Sequence, residues 1–129
     1  MTDVTYVRRD RRQTMVAEWA RECFGESEAN DLAQRGLRLL EEATEAFQAA
    51  GGTREMAHQL VDYVFGRPDG ELAQELGGVS VTLLALAEAA GLSTENCEVA
   101  EINRVLSKPR EYYAARNAAK NAAGLKVVP

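Results

Sequence analysis

The sequence predicts an all-α protein, a helical bundle of about five to six helices, and three observations carry that expectation. Apolar residues recur at spacings of three and four through most of the chain. Short segments bearing Gly or Pro separate these periodic runs. The β-branched residues are scattered inside the helical periods, and no turn signal divides two alternating runs as a strand pair requires. The predicted helices span about residues 8–23, 27–50, 53–65, 70–90, 94–107 and 110–122.

Each boundary has a chemical reason. Gly25 stops the first helix, Gly51 and Gly52 stop the second, and the run Gly66-Arg67-Pro68-Asp69-Gly70 divides the third from the fourth. Gly91 ends the fourth, and Pro109 breaks the chain before the last. Thr53 is a good N-cap for the third helix, as is Ser93 or Thr94 for the fifth, although neither site has a full capping box. In the fourth helix Leu72, Leu76, Val79, Leu83 and Leu86 fall on one side, a stripe that reads as bundle core. In the second, Leu32, Gly36, Leu40, Ala43, Phe47 and Ala50 make a narrower stripe whose small residues permit close helix approach. Val81 and Leu84 lie outside the main stripe, so the fourth helix is apolar on more than one side. That places it centrally or in an interface, and self-association as a dimer or tetramer is the expectation.

With 129 residues, 46% hydrophobic and 27% charged, the chain is expected to form a single domain over 1–129. Within it a basic arm covers 1–12, the bundle about 13–108, and a basic helix and tail 109–129. The net charge of −5 does not mark a nucleic-acid binder. Its distribution is uneven: residues 1–12 sum to +2, residues 13–103 to −12 and residues 104–129 to +5. Central cations with phosphates at the basic tail would suit this pattern, and so would solvated helix faces between charged ends.

Several classes are excluded. No uninterrupted apolar run approaches the roughly 20 residues of a bilayer span, so no membrane role is expected. The N-terminus lacks the apolar region of a secretory signal, which makes the cytoplasm the expected location. Cys23 and Cys97 are too few for a disulfide framework and read as reduced thiols. His58, the only histidine, speaks against zinc and against a Ser-His-Asp hydrolase, and reads as structural. Neither a P-loop nor a dinucleotide-binding glycine string occurs.

The chemically suggestive segment is Leu40-Glu41-Glu42-Ala43-Thr44-Glu45, which puts three carboxylates within about one helical turn. Like charges so placed repel, and a hard divalent cation binding oxygen ligands would offset the repulsion. The fourth helix adds Glu71 and Glu75, with Glu75 beside the Leu76 and Val79 stripe, where a facing helix can reach it. The competing reading is a solvated face, since Glu41 and Glu45 project nearly opposite Leu40 and Phe47.

These residues, with the later run Gln74-Glu75-Leu76-Gly77-Gly78-Val79-Ser80-Val81-Thr82-Leu83, resemble the all-α nucleoside triphosphate pyrophosphatases, the MazG-like family, and are most similar to its small phage-type members. The family pattern is Glu-Glu-x-x-Glu on one helix and Glu-x-x-Asp on a later one. The first half matches at Glu41, Glu42 and Glu45; the second matches at Glu75, while Gly78 stands where the family has Asp. The resemblance covers about residues 16–122. It implies a dimeric or tetrameric bundle that hydrolyses a (d)NTP to the monophosphate and pyrophosphate with Mg²⁺, or Mn²⁺ in its place, in a house-cleaning or pool-shaping role.

Carried over by residue, the resemblance makes Glu42, Glu45 and Glu75 metal ligands, and Glu41 a ligand or the group that positions the attacking water. At Gly78 three outcomes stay open: an extra water on the ion, substitution by Glu71 or Asp62, or weakened or lost catalysis. Lys108, Arg110, Arg116 and Lys120 would contact the triphosphate, with Asn103 as a polar partner. The same basic residues also complement a helix C-terminus. Trp19 is the candidate base platform, or else an ordinary core aromatic. The alternative function is a nucleotide- or metal-binding module, or a helical interaction protein, without turnover.

Overall fold

A computed structural model describes residues 3–128 of the chain. The described residues form seven α-helices and no strand. These are α1 (Arg9–Phe24), α2 (Glu26–Ala29), α3 (Leu32–Ala49), α4 (Arg54–Phe65), α5 (Leu72–Ala89), α6 (Thr94–Leu106) and α7 (Arg110–Ala122). The all-α expectation holds. The helix predicted from 27 to 50 is divided, because the backbone leaves helical geometry at Asn30 and restarts when Asp31 Oδ1 accepts a hydrogen bond from the Gln34 N–H at 3.1 Å. An Asn-Asp pair next to a helical pattern carries that stop-and-start signal.

The other breaks follow local chemistry. Gly25 takes φ 84°, which a side chain rarely adopts, while its N–H donates to the Arg21 carbonyl and closes α1. At the end of α3, Gly51 takes φ 99° and the Gly52 N–H returns to the Phe47 carbonyl at 2.8 Å. A Cβ on Gly52 would run into the Phe47 ring, so the pair serves both the turn and the close approach. Thr53 caps α4 as expected, its Oγ1 accepting from the Met56 N–H at 3.2 Å.

The chain divides into two compact units, the first running up to Arg38 and resuming at Glu95, the second being Leu39–Thr94. The first contains every buried residue among those described. Val4, Ala20, Cys23 and Val99 are its apolar core, and Arg12 and Gln34 are buried with them. The expected N-terminal arm is partly helix: Arg9 and Arg12 belong to α1 and face α6. Cys23 and Cys97 are both free thiols, and burial pushes the Cys23 thiol up from its ordinary value.

The second unit contains the later half of α3, α4 and α5, and none of its residues is buried. This corrects the expectation that the α5 stripe is the core of the chain. Leu72, Leu76, Val79, Leu83 and Leu86 are 40–55% exposed. Leu32 and Leu40 of the α3 stripe are likewise exposed, and only Phe47 is half-buried. Heptad-like spacing fixes which side of a helix is apolar; what covers that side depends on the rest of the fold. α5 is also long and apolar enough, by length and composition alone, to cross a bilayer.

Candidate functional site

The carboxylates and the basic and aromatic residues belong to different units. Glu41, Glu42, Glu45 and Glu75 are in Leu39–Thr94, and Trp19, Asn103, Lys108, Arg116 and Lys120 are in the other.

Glu41, Glu42 and Glu45 sit in the middle of α3, with Glu41 half-buried and the other two exposed. Helical geometry places them within one turn, as the spacing requires. Glu75 lies in the first turn of α5, where its negative charge faces the positive end of the helix dipole. Its carboxylate lies against Gly70, close enough to clash with any side chain there. Among the described residues no three His, Cys, Asp or Glu side chains converge as a metal would require. The donors are carboxylate oxygens, the chemistry a hard divalent cation takes. Gly78, where the resemblance asks for a further carboxylate, has nothing within 4 Å of a Cβ built on it.

In the other unit, Tyr112 is the meeting point of two of the predicted phosphate-binding residues. Lys108 Nζ stands 4.3 Å from its ring centre and Arg116 Cζ 5.7 Å. Arg116 lies one turn beyond Tyr112 on α7, whereas Lys108 precedes the Pro109 N-cap and reaches the ring from the turn before that helix. A hydrogen bond from Lys108, with the charges of Lys108 and Arg116, holds the Tyr112 phenol below its ordinary value. Lys120 is half-buried one turn beyond Arg116. Arg110 is paired elsewhere, its Nε bonding Glu22 Oε2 at 2.6 Å.

Trp19 is half-buried between two aromatic rings, edge-on to Phe24 at 5.6 Å and to Tyr113 at 5.0 Å. Its indole Nε1 is buried without a protein acceptor, and the Tyr113 hydroxyl is likewise unpartnered. Arg35 extends the cluster, its guanidinium 5.0 Å from the Phe24 ring, and burial lowers its pKa from the ordinary arginine value. Asn103 anchors the N-terminal segment: its Oδ1 accepts from the Val4 N–H at 2.9 Å and its Nδ2 donates to Asp3 Oδ1 at 3.1 Å. Hydrogen bonds from the Thr5 hydroxyl and N–H, with that from Asn103, hold the Asp3 carboxyl below its usual range.

Sequence reasoning missed the buried charged network around Arg12. Arg12, only 2% exposed, donates from Nε to Glu98 Oε2 at 3.0 Å, and from Nη2 to Glu95 Oε2 and Glu98 Oε2 at 2.8 Å each. Arg9 adds a bond to Glu98 Oε1 at 3.1 Å. Burial pushes Glu98 up, but the hydrogen bonds from Arg9 and Arg12 outweigh it and leave the carboxyl below its usual value. Nothing in the run Arg8-Arg9-Asp10-Arg11-Arg12 distinguishes the buried arginine except its distance along the helix from Ala20 and Cys23, which share its side.

Comparison of the chain with protein-family models, with curated proteins and with solved structures finds no match in any of the three.

Proposed function

We propose that the protein is a Mg²⁺-dependent nucleoside triphosphate pyrophosphohydrolase, converting a (d)NTP to the monophosphate and pyrophosphate. The observation that carries this reading is Glu41-Glu42-x-x-Glu45 on α3 with Glu75 on α5, in one unit of an all-α chain. Glu42, Glu45 and Glu75 would hold the ion, and the donor chemistry fits it. An ion held there would supply neutralisation of triphosphate charge and a more acidic water. Hydrolysis at a phosphorus needs positioning and charge neutralisation more than a protein nucleophile, which suits a chain whose carboxylates are its main chemical resource. Glu41 would orient the water or accept its proton. The expected phosphate, base and polar-contact residues Lys108, Arg116, Lys120, Trp19 and Asn103 belong to the other unit, and the reading rests on the carboxylates alone.

The test is pyrophosphate release from a panel of nucleoside and deoxynucleoside triphosphates, with Mg²⁺, with Mn²⁺ and with chelator. Metal-dependent turnover is expected, reduced roughly 100-fold in Glu42→Gln and in Glu75→Gln. Undiminished turnover in both variants would remove the site assignment. A second reading, a nucleotide-binding module without turnover, is favoured by Gly78, which supplies no ligand. Calorimetry showing Mg²⁺-dependent nucleotide binding with no product would select it, and Gly78→Asp is then expected to introduce turnover.

A further inference from the structure

Within the first unit, three side chains of one aromatic cluster hold buried hydrogen-bond donors that no protein group accepts: Trp19 Nε1, the Tyr113 hydroxyl, and Nε and Nη2 of Arg35. Tyr113 of α7 meets Trp19 of α1 at 5.0 Å, Trp19 meets Phe24 at 5.6 Å, and the Arg35 guanidinium of α3 lies 5.0 Å from the Phe24 ring. An indole N–H and a guanidinium can only donate. Buried donors without an acceptor are destabilising, and a native fold keeps them where something else supplies the acceptor. Nε and Nη2 form one edge of the guanidinium, the edge that takes both oxygens of a carboxylate at once. The acids whose charges act on Arg35 do not close that edge. Glu28 Oε1 accepts from Asn117 Nδ2 at 2.9 Å, and Asp31 Oδ1 accepts from the Gln34 N–H at 3.1 Å. Trp19, Arg35 and Tyr113 are each half-buried, so the cluster is reachable from solvent while these donors point inward.

We propose that Arg35, Trp19 and Tyr113 form a binding site for a small organic carboxylate that carries a second oxygen acceptor. The free edge of Arg35 takes the carboxylate, and the indole N–H and the phenol take the second acceptor. Phe24, which touches both Trp19 and Arg35, offers an apolar wall to the carbon chain between the two ends. Inorganic phosphate is the poorer occupant, because the charges of Glu28 and Asp31 beside Arg35 oppose a second negative charge, and Arg38 adds only one positive charge. Ordered water is the other occupant such donors can have, and it would satisfy them with no preference for an acid. The inference does not rest on the pyrophosphohydrolase reading, whose carboxylates belong to the other unit, and it needs neither metal nor nucleotide.

Trp19 is the only tryptophan of the chain, so its emission reads the site directly. Titration of the full chain with levulinate, a keto acid, at constant ionic strength is expected to saturate with a dissociation constant on the order of 1 mM. Valerate, the same chain without the ketone, should bind about 5-fold more weakly, and inorganic phosphate more weakly than either. Arg35→Lys keeps the charge but loses the paired donors and should weaken levulinate binding at least about 10-fold; Tyr113→Phe should weaken it about 5-fold. Arg35→Met should abolish binding, and because it removes a charge buried without an acceptor, the urea midpoint of the unliganded chain should not fall. An emission that no carboxylate changes would overturn the proposal and leave water as the occupant. Phosphate binding more tightly than levulinate would overturn it as well, as would binding undiminished in Arg35→Lys. A lowered urea midpoint in Arg35→Met would overturn it by making Arg35 a structural residue.

Discussion

The two units of this chain spend their apolar and charged residues in opposite ways. The first is built on α1, α6 and α7, helices of polar average composition, yet it buries Val4, Ala20, Cys23 and Val99 and closes a charged network around Arg12. The second contains α5, the most apolar helix of the chain, and buries nothing. A few well-placed contacts between segments distant in sequence close a core, as Val4 with Asn103 and Arg12 with Glu98 show. A long apolar stripe without a facing partner does not. Apolar content measures the demand for burial, and topology decides whether one chain can meet it.

The strongest way to break this contrast is denaturation by urea. The helical signal of the second unit, which buries no residue, is expected to be lost at lower urea than Trp19 emission; simultaneous loss of both signals would show a single cooperative structure. Next in size is Glu98→Gln, which removes the charge that Arg9 and Arg12 bind. It is expected to cost the first unit about 2 kcal/mol, read by Trp19 in urea, with no change in the midpoint of the second.

Acid should act in the same direction, because protonation also removes the charge while leaving an acceptor oxygen. Glu98 is held below its ordinary 4.5, so the stabilisation it gives is fully present above that pH. It is lost as the pH falls from there through the folded-state value, and Asp3 contributes with the same sign. A Trp19 midpoint that stays flat from neutral pH to about 3 would contradict this assignment. The smallest effect concerns Gly78, on the side of α5 away from its main stripe with nothing within 4 Å of a Cβ. Gly78→Ala is expected to raise the stability of the second unit by about 1 kcal/mol in thermal melts. A loss instead would mean that another surface approaches that side.

Much of the local structure was legible. The helix-ending glycines, the Thr53 cap and the pairing of Tyr112 with Arg116 all follow from interactions within about one turn of chain. Asp31 is legible too, as an N-cap, although the apolar period runs through it. The candidate carboxylates were legible only in part: Glu41, Glu42 and Glu45 share a turn by helix geometry, but the place of Glu75 against Gly70 depends on how the chain turns between α4 and α5. The role of Asn103 was not legible at all, since its partners Asp3 and Val4 lie at the opposite end of the sequence.

The sequence by itself determined that the chain is helical, where most helices begin and end, and which side of each is apolar. Those properties arise from backbone propensity, capping and periodicity, all of which act over a few residues. Only the tertiary structure decided that Arg12 is an interior residue, that Asn103 holds the N-terminal segment, and that the α5 stripe is left uncovered by its own unit. Burial is a relation between segments far apart in sequence, and the periodicity of either segment alone does not contain it.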